Sequence, residues 1–215
     1  MNRLRRMITG RVKTLSSLDA YALWASAYPP YAHNPFMEFE QRAMLAMLPP
    51  LQGAVVLDLA CGTGRYGLLA QEREARQVIA IDNSAAMLEA NPLALRIQAT
   101  GTALPLRSAS IDVILCGLAL GHLPDLTEAV GEIARVLRPL GVALISDVHP
   151  FVALNGGQRT FSSSDGRQYA VEHYAHLYED YTRAAFQAGL RIDAISEPRI
   201  GGSPVLIVYR MVKLT

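Results

Sequence analysis

Short apolar runs alternate with stretches of helical periodicity through the middle of the chain. Five such runs can be recognised: Ala54–Leu59, Val78–Ile81, Leu93–Gln98, Ile111–Cys116 and Val142–Ser146. Short, largely apolar runs are typical of parallel strands that are covered on both faces. Between the fourth and fifth runs, Leu126, Val130, Ile133 and Leu137 fall on one face of a helix. The alternation predicts an α/β fold built on a single doubly wound, mostly parallel sheet.

Two regions depart from this alternation. The first, residues 1–50, is predicted to form an amino-terminal helical arm and cap, with one helix over Ser17–Trp24 and a second helix capped by Asn34. The second, residues 151–173, is rich in glycine, serine and polar residues, and a loop of this length in a compact domain is usually functional or mobile. We interpret it as an insertion after strand 5 that forms a β-hairpin or lid over a substrate. The predicted division is therefore an arm and cap over 1–50 and a main domain over 51–215.

A glycine-rich turn follows the first apolar run. Gly62 and Gly64 allow a sharp turn with room for a ligand, and the next helix directs its amides into that space. Together with Gly67 they match the dinucleotide-binding pattern, which is weak evidence alone. Asp58, just before the turn, would repel a pyrophosphate and suits a ligand with an amino group and a carboxylate. Asp82, about 20 residues after the glycines, has the usual spacing for binding a ribose, which both kinds of cofactor contain.

These motifs resemble those of a known family. The segment from Asp58 to Gly64, followed by Asp82, is similar to the class I S-adenosylmethionine-dependent methyltransferases, in the small-molecule branch that contains ubiquinone- and menaquinone-type enzymes. The resemblance covers roughly residues 54–147, and it extends in order to three further segments. These are Gly101–Leu106, Ile111–Cys116 and Glu132–Gly141. It implies a Rossmann-like sheet of about seven strands with helices on both faces and a last strand that is antiparallel beside the fifth.

The resemblance also implies S-adenosylmethionine as the cofactor and S-adenosylhomocysteine as its product. Carried over position by position, it predicts the following cofactor-binding residues: Tyr28, Asp58, Ala60, Gly62, Gly64, Asp82, Asn83, Thr102, Ala103 and Cys116. Tyr28 is the candidate contact of the methionine carboxylate, although it could simply pack in an aromatic cluster with Tyr21 and Trp24. Thr102 stands where the family usually has an acid. The contact to the adenine amine is therefore expected to be weaker, or to pass to the Ala103 backbone.

Two histidines are candidates for a catalytic base. The methyl group of a sulfonium is already activated, so catalysis needs an aligned acceptor and, for a hydroxyl or acidic carbon, a base. His149 follows the fifth strand and His122 follows the segment that lines the cofactor, so both fall on the predicted ligand-binding edge. Each could instead be a structural histidine, and the reaction could proceed without a protein base. His173 and His176 have a spacing that could suit a metal but lack a clear carboxylate partner, so no metal is expected.

Composition narrows the possible partners and location. The 215 residues suit one domain, 51% are hydrophobic and 18% are charged, and the net charge of +1 gives no general attraction to nucleic acid. Cys61 and Cys116 predict free thiols in a reducing compartment, and no apolar run is long enough to span a membrane. We expect a cytoplasmic protein, monomeric or homodimeric. The basic stretch Met1–Thr14 could be a mobile arm or a transit peptide, and less readily a nucleic-acid arm.

The sequence thus favours methyl transfer to an O, N or C atom of a small metabolite. The apolar segment Gly117–Leu120 and the aromatic residues after the insertion favour, weakly, an aromatic or lipophilic acceptor. Two alternatives stay open: an NAD(P)-dependent oxidoreductase, and a catalytically silent protein that binds S-adenosylmethionine. An acid or amide followed by Pro-Pro-Tyr marks methyltransferases that act on the exocyclic amines of nucleic-acid bases. In this chain Pro29-Pro30-Tyr31 is preceded by Tyr28, and no strand leads into it, so this activity is disfavoured.

Overall fold

The computed structural model of the protein describes residues 12–163 and 166–215. Four of the five basic residues of the stretch Met1–Thr14 lie outside these ranges, and so do Ser164 and Asp165 of the predicted insertion. The described part contains seven α-helices: α1 Ser17–Trp24, α2 Pro35–Ala46, α3 Arg65–Glu72, α4 Ala85–Glu89, α5 Thr127–Val136, α6 Pro150–Leu154 and α7 Tyr178–Gln187. It also contains two short 3₁₀ helices, Ala25–Ala27 and Leu120–His122.

The strands of the described chain fall into a large sheet and two small ones. In chain order they are β1 Lys13–Leu15, β2 Val55–Leu59, β3 Gln77–Asp82, β4 Arg96–Gln98, β5 Ile111–Gly117, β6 Leu137–Val148, β7 Thr160–Ser162, β8 Gln168–Val171, β9 Leu190–Ser196, β10 Arg199–Ile200, β11 Ser203–Pro204 and β12 Leu206–Lys213. The large sheet has the order β4-β3-β2-β5-β6-β12-β9. Strand β12 is antiparallel to both of its neighbours, and the other pairings in the sheet are parallel. The predicted fold of seven strands with an antiparallel last strand is confirmed.

Successive side chains of the central strands point to opposite faces of the sheet. In β2, Leu57 and Leu59 join one hydrophobic cluster with residues of α5 and α7, whereas Val56 joins a second cluster with residues of α2 and α3. This two-residue period buries every position of β2, which explains why its sequence is apolar at four of its five positions, all but Asp58, rather than alternating. Helices therefore cover both faces, and the polar ends of the strands are left for ligands.

The local starts and stops follow the sequence signals with small shifts. Asn34 caps α2 by accepting a hydrogen bond from the Met37 amide at 2.9 Å, with Pro35 at the first helical position. Helix α5 begins at Thr127, and Asp125 in the turn before it accepts a hydrogen bond from the Thr127 amide at 2.7 Å. Strand β4 is only three residues long, three residues shorter at its start than the apolar run predicts.

The insertion and the amino-terminal region form one small sheet. Strands β7 and β8 make an antiparallel hairpin, and β1 adds to β8 in parallel. Trp24 of α1 stacks on Phe161 of the hairpin with ring centroids 4.9 Å apart. The hairpin expected from the sequence is therefore present, and it is held by residues from the other end of the chain. Its action as a lid, and the division of the chain at residue 50, stay predictions.

The described helices are short. The longest, α2, has 12 residues, and no helix within residues 12–163 and 166–215 is long and apolar enough to cross a bilayer.

Candidate cofactor and acceptor cavities

A cavity of about 1040 Å³, counting the space at its mouth, lies at the carboxyl ends of β2, β3 and β5. This is the edge at which open α/β sheets bind ligands. Eight of the twelve residues that the sequence predicted for the site line it: Tyr28, Asp58, Ala60, Gly62, Asp82, Asn83, Cys116 and His122. The other four, Gly64, Thr102, Ala103 and His149, are not part of its wall.

Asp58 presents one carboxylate oxygen to this cavity. The side chain is buried, and its Oδ2 accepts a hydrogen bond from the Gly67 amide at 2.7 Å, while Oδ1 bonds to none of the described residues. Burial raises the pKa of Asp58 to about 7, against the opposing effects of the Gly67 amide and of Arg65. A cationic ligand group beside Oδ1 would restore the charged form, so the position suits an ammonium group.

Asp82 closes the cavity on the side of β3. Its Oδ2 accepts a hydrogen bond from the Gly62 amide at 2.7 Å, and its Oδ1 accepts one from the Ser84 amide at 2.8 Å. Burial raises the pKa of this carboxyl, and the backbone donors act in the opposite direction. Each oxygen has further acceptor capacity, which fits it to receive the hydroxyls of a ribose.

The glycine-rich turn is fixed by bonds within the protein. The Gly62 amide is used by Asp82, and the Gly64 amide donates to the Cys61 carbonyl at 2.8 Å. Gly64 has a φ of +97°, and a Cβ there would lie 2.7 Å from Oδ1 of Asn91. A Cβ at Gly67 would lie 2.3 Å from Leu93, so this glycine is needed for close packing of α3. Gly64 therefore does not line the cavity but allows the turn that forms its wall to pack against Asn91.

The predicted adenine contacts lie beside the cavity. Ala99 and Gly101 line it at this end. The hydroxyl of Thr102 lies 3.2 Å from the hydroxyl of Thr100, and Ala103 is exposed. The structure thus brings the backbone around residue 101 to the cavity, but neither Thr102 nor Ala103.

The two candidate bases have different surroundings. His122 lines the cavity, and its Nδ1 donates to the Glu172 carbonyl at 2.7 Å, which leaves Nε2 as the acceptor. Nε2 lies 3.2 Å both from the Tyr21 hydroxyl and from Nη1 of Arg159. Burial, followed by the nearby Arg159 charge, lowers the pKa of His122 to about 4, so the ring is neutral at neutral pH.

His149 lines neither this cavity nor the second cavity that adjoins it, which is described below. Its Nδ1 accepts from the Phe151 amide at 3.2 Å, as the cap of α6, and its Nε2 lies 3.0 Å from Glu197 and 2.5 Å from the Tyr178 hydroxyl. The fifth strand of the sequence prediction is β6 in the structure, so the position of His149 after it was predicted correctly. The backbone, however, turns the ring towards α7. We therefore do not retain it as a candidate base.

A buried ionic network that the sequence did not reveal supports the wall of the cavity. Glu40 of α2 is fully buried, 2.7 Å from Nη1 of Arg65 and 2.7 Å from the Tyr66 hydroxyl, and it also accepts a hydrogen bond from Ser146. Arg65 and Tyr66 line the cavity. The network joins α2, α3 and β6 directly beneath the ligand site, and the four residues lie up to 106 positions apart in the sequence.

A second cavity of about 1560 Å³, counting its open mouth, adjoins the first. Tyr28, Leu118 and Arg159 line both. Leu118 has a φ of +58°, a conformation that costs a residue with a side chain about 1–2 kcal/mol, and it lies where β5 ends between the two cavities. Trp24, Phe36 and Met37 give the second cavity an apolar wall. The arrangement can hold two ligands whose adjoining ends meet beside Leu118.

His173 and His176, whose spacing in the sequence could suit a metal, contact different partners in the structure. His173 lies 3.2 Å from Asp147, and His176 lies 2.8 Å from the Leu123 carbonyl. Within the described residues, no group of three or more histidine, cysteine or acidic side chains is arranged to hold a metal ion.

Comparison with known proteins agrees with this geometry. A family model described as Methyltransferase domain matches residues 57–145, which run from β2 into β6. A demethylmenaquinone methyltransferase of Lactococcus lactis is 32% identical over 134 residues, covering 54% of this chain and 53% of the relative. A ubiquinone biosynthesis O-methyltransferase of Xylella fastidiosa is 29% identical over 210 residues, covering 86% and 81%. The chain spans about half the length of the first curated relatives that it matches.

A solved structure of an S-adenosylmethionine-dependent methyltransferase from Mesorhizobium loti has the same fold. Its TM-score is 0.69 at 20% identity, with 81% of this chain and 97% of that chain covered. Fold, motif and site agree with a class I methyltransferase domain over the matched residues 57–145. The predicted resemblance of the chain to the class I S-adenosylmethionine-dependent methyltransferases, and to the quinone-biosynthesis branch of that class, is confirmed.

The residues of the first cavity fit the cofactor of this class. Asp58 offers a free carboxylate oxygen for an amino group, and Asp82 offers acceptors for ribose hydroxyls. Gly62 leaves open space, since the nearest atom to a Cβ built there is 3.9 Å away. Leu59, Ile81 and Met87 complete an apolar part of the wall. These groups complement the three portions of S-adenosylmethionine: Asp58 suits its amino acid, Asp82 its ribose, and the apolar wall its base.

Proposed function

We propose that this protein transfers a methyl group from S-adenosylmethionine to an O, N or C atom of a small aromatic or lipophilic molecule. The observation that carries the proposal is the pair of adjoining cavities. One has Asp58 and Asp82 at the end of a parallel sheet, and the other has an apolar wall with Trp24 and Phe36. The two meet at Leu118, so an acceptor in the second cavity can approach a cofactor in the first.

The residues of the chain would act mainly by positioning and by excluding water. S-adenosylmethionine, when bound, supplies a methyl group already activated for displacement. Asp58 and Asp82 orient it, while α1 and the β7–β8 hairpin cover the same edge of the sheet. His122 is the candidate acceptor for the proton that a hydroxyl or acidic carbon loses, because the Glu172 carbonyl fixes the ring's own proton on Nδ1 and leaves Nε2 as the acceptor. Its lowered pKa makes it a weak base, so it suits an acceptor whose own proton is acidic.

The two alternatives from the sequence have less support. A dinucleotide would need free amides at the glycine turn for its pyrophosphate, but the Gly62 and Gly64 amides both donate within the protein. Asp58 adds a negative charge beside that position. A silent binding protein would need a closed acceptor space, whereas the second cavity is open.

Calorimetric titration tests the proposal. We expect S-adenosylhomocysteine to bind and NADH not to bind under the same conditions. Methyl transfer from S-adenosylmethionine labelled in the methyl group, across phenols, carboxylic acids, amines and quinols, should then give a labelled product. Binding of NADH in preference to S-adenosylhomocysteine would overturn the assignment of the cofactor. Binding of S-adenosylhomocysteine with no labelled product would support the silent alternative.

Cofactor affinity should depend on pH through Asp58. The pKa of about 7 means that this carboxyl is neutral below pH 7 and charged above it. A ligand ammonium binds the charged form. We therefore expect the affinity for S-adenosylhomocysteine to fall as pH drops from 7.5 to 5.5, by up to about tenfold for the last unit. Titrations at four pH values would measure this. In Asp58→Asn the affinity should be weaker and nearly independent of pH, and an equal slope in this variant would contradict the assignment.

His122 should matter for turnover more than for cofactor affinity. If its Nε2 accepts the proton of the acceptor, we expect His122→Gln to lower kcat by about 100-fold, within the usual range for removal of a general base. The Kd for S-adenosylhomocysteine should stay within about twofold. His149→Gln is the matched comparison, since this ring lies outside the cavities and should leave kcat nearly unchanged. A normal kcat in His122→Gln would exclude it as the base.

A further inference from the structure

Arg159 lies where the two cavities meet. It comes from the insertion, directly before β7, and lines both spaces. Its Nη1 donates to the Leu118 carbonyl at 2.8 Å and lies 3.2 Å from Nε2 of His122. The guanidinium also lies 5.6 Å from the centre of the Tyr21 ring. The side chain is thus held at one end, beside the candidate base.

The positive charge of Arg159 has no partner of opposite charge among the described residues. No carboxylate of that part of the chain lies within 4.0 Å of its guanidinium. Asp147 and Glu40 act on it only at longer range, and both are committed to other partners, His173 and Tyr181 for Asp147, and Arg65 for Glu40. Arg159 is half-buried, and a cation that is partly removed from water is costly unless a counter-charge is present. An anionic ligand group would supply that charge.

The free atoms of Arg159 define the shape of such a group. Nη1 is used by Leu118, whereas Nε and Nη2 make no hydrogen bond with the described residues. These two atoms form the side of a guanidinium that binds a planar carboxylate through two parallel hydrogen bonds. Among the described residues, no other lysine or arginine lines the second cavity, and Glu172 lies on its wall. One cation beside one acid favours a singly charged carboxylate over a phosphate dianion.

We propose that the methyl acceptor is a carboxylic acid, and that Arg159 binds its carboxylate from the side of Nε and Nη2. This inference rests on the proposed function and names the acceptor class for the same site. The carboxylate would lie at the junction of the cavities and the apolar remainder of the acceptor along Trp24 and Phe36. Arg159 would then determine specificity, since an uncharged analogue of the same shape would leave its charge unpaired.

Matched pairs of acids and amides test this inference without requiring turnover. The protein saturated with S-adenosylhomocysteine is titrated with benzoate, 4-hydroxybenzoate, 3-phenylpropanoate and decanoate, and with the amide of each. Acid and amide have nearly the same shape and differ in charge. We expect at least one acid to bind 10- to 100-fold more tightly than its amide. If no acid of the panel binds more tightly than its amide at millimolar concentration, including the case in which none binds, the inference is wrong.

Two variants assign the preference to Arg159. In Arg159→Gln the preferred acid should lose at least tenfold in affinity while its amide changes little, so that the two become similar. Arg159→Lys should recover part of the preference, because it retains the charge but not the paired donors. The Kd for S-adenosylhomocysteine should stay within about twofold in both variants. A preference that survives in Arg159→Gln would contradict the assignment, as would a loss of cofactor affinity instead of acid affinity.

The failure of this inference can be distinguished from failure of the proposed function. If wild-type protein does not bind S-adenosylhomocysteine, the proposed function fails. If it binds the cofactor product but does not discriminate acids from amides, only the inference about the acceptor fails.

Discussion

Glu40→Gln should lower the free energy of unfolding by about 3–5 kcal/mol. The carboxylate is fully buried, and its charge compensates Arg65, which is also buried, at 2.7 Å. Glutamine keeps the size and an acceptor for the Tyr66 hydroxyl but removes the charge, so Arg65 is left as an uncompensated buried cation. Urea denaturation followed by circular dichroism would measure the loss.

Glu38→Gln is the matched control for this prediction. It lies on the same helix, α2, but is exposed, and it should cost no more than about 1 kcal/mol. The double variant Glu40→Leu with Arg65→Met, which removes both charges, should recover much of the stability, since apolar replacement of a buried ion pair is often nearly neutral. A cost below about 1 kcal/mol for Glu40→Gln would mean that Arg65 finds another partner or access to water.

Asp82→Ala should weaken the binding of S-adenosylhomocysteine by about 1–3 kcal/mol, roughly 5- to 150-fold in Kd. The substitution removes the acceptor expected for the ribose hydroxyls. It also removes the bonds that hold the Gly62 and Ser84 amides, so the glycine turn loses its support. Calorimetric titration would measure the change.

Asp82→Asn separates the two contributions to this effect. It retains one acceptor oxygen and nearly the same shape, and we expect an intermediate loss of affinity. Asp193→Ala, on the remote strand β9, should leave the Kd unchanged. If Asp82→Ala binds S-adenosylhomocysteine as tightly as wild type does, the ribose is held elsewhere and the end of β3 is not the cofactor site.

The parts of the fold that could be predicted are those that local patterns determine. Strand β2 is apolar at adjacent positions because both of its faces are buried, and Gly62, Gly64 and Asp82 stand at fixed distances from it along the chain. The carboxyl edge of the sheet therefore followed from the sequence. The capping of α2 by Asn34 followed for the same reason, since a cap depends on only a few neighbouring residues.

The parts that could not be predicted depend on contacts between distant segments. Glu40 reads as a polar residue of a surface helix, and its burial against Ser146 requires α2 to pack beneath β6. Arg159 lies in an insertion without periodicity, and this insertion is held over the sheet by the pairing of β8 with β1 and by the stacking of Trp24 on Phe161, both of which join distant parts of the chain. His149 shows the same limit, because its position along the chain did not determine which way its ring would turn.

The most direct test of the central claim is a crystal structure of the protein grown with S-adenosylhomocysteine. We predict the amino group of the ligand beside Oδ1 of Asp58, the ribose hydroxyls on Asp82, and the sulfur directed past Leu118 towards the second cavity. Ligand density away from this edge, or a parallel crystal with NADH that fills the same cavity while S-adenosylhomocysteine does not, would contradict it.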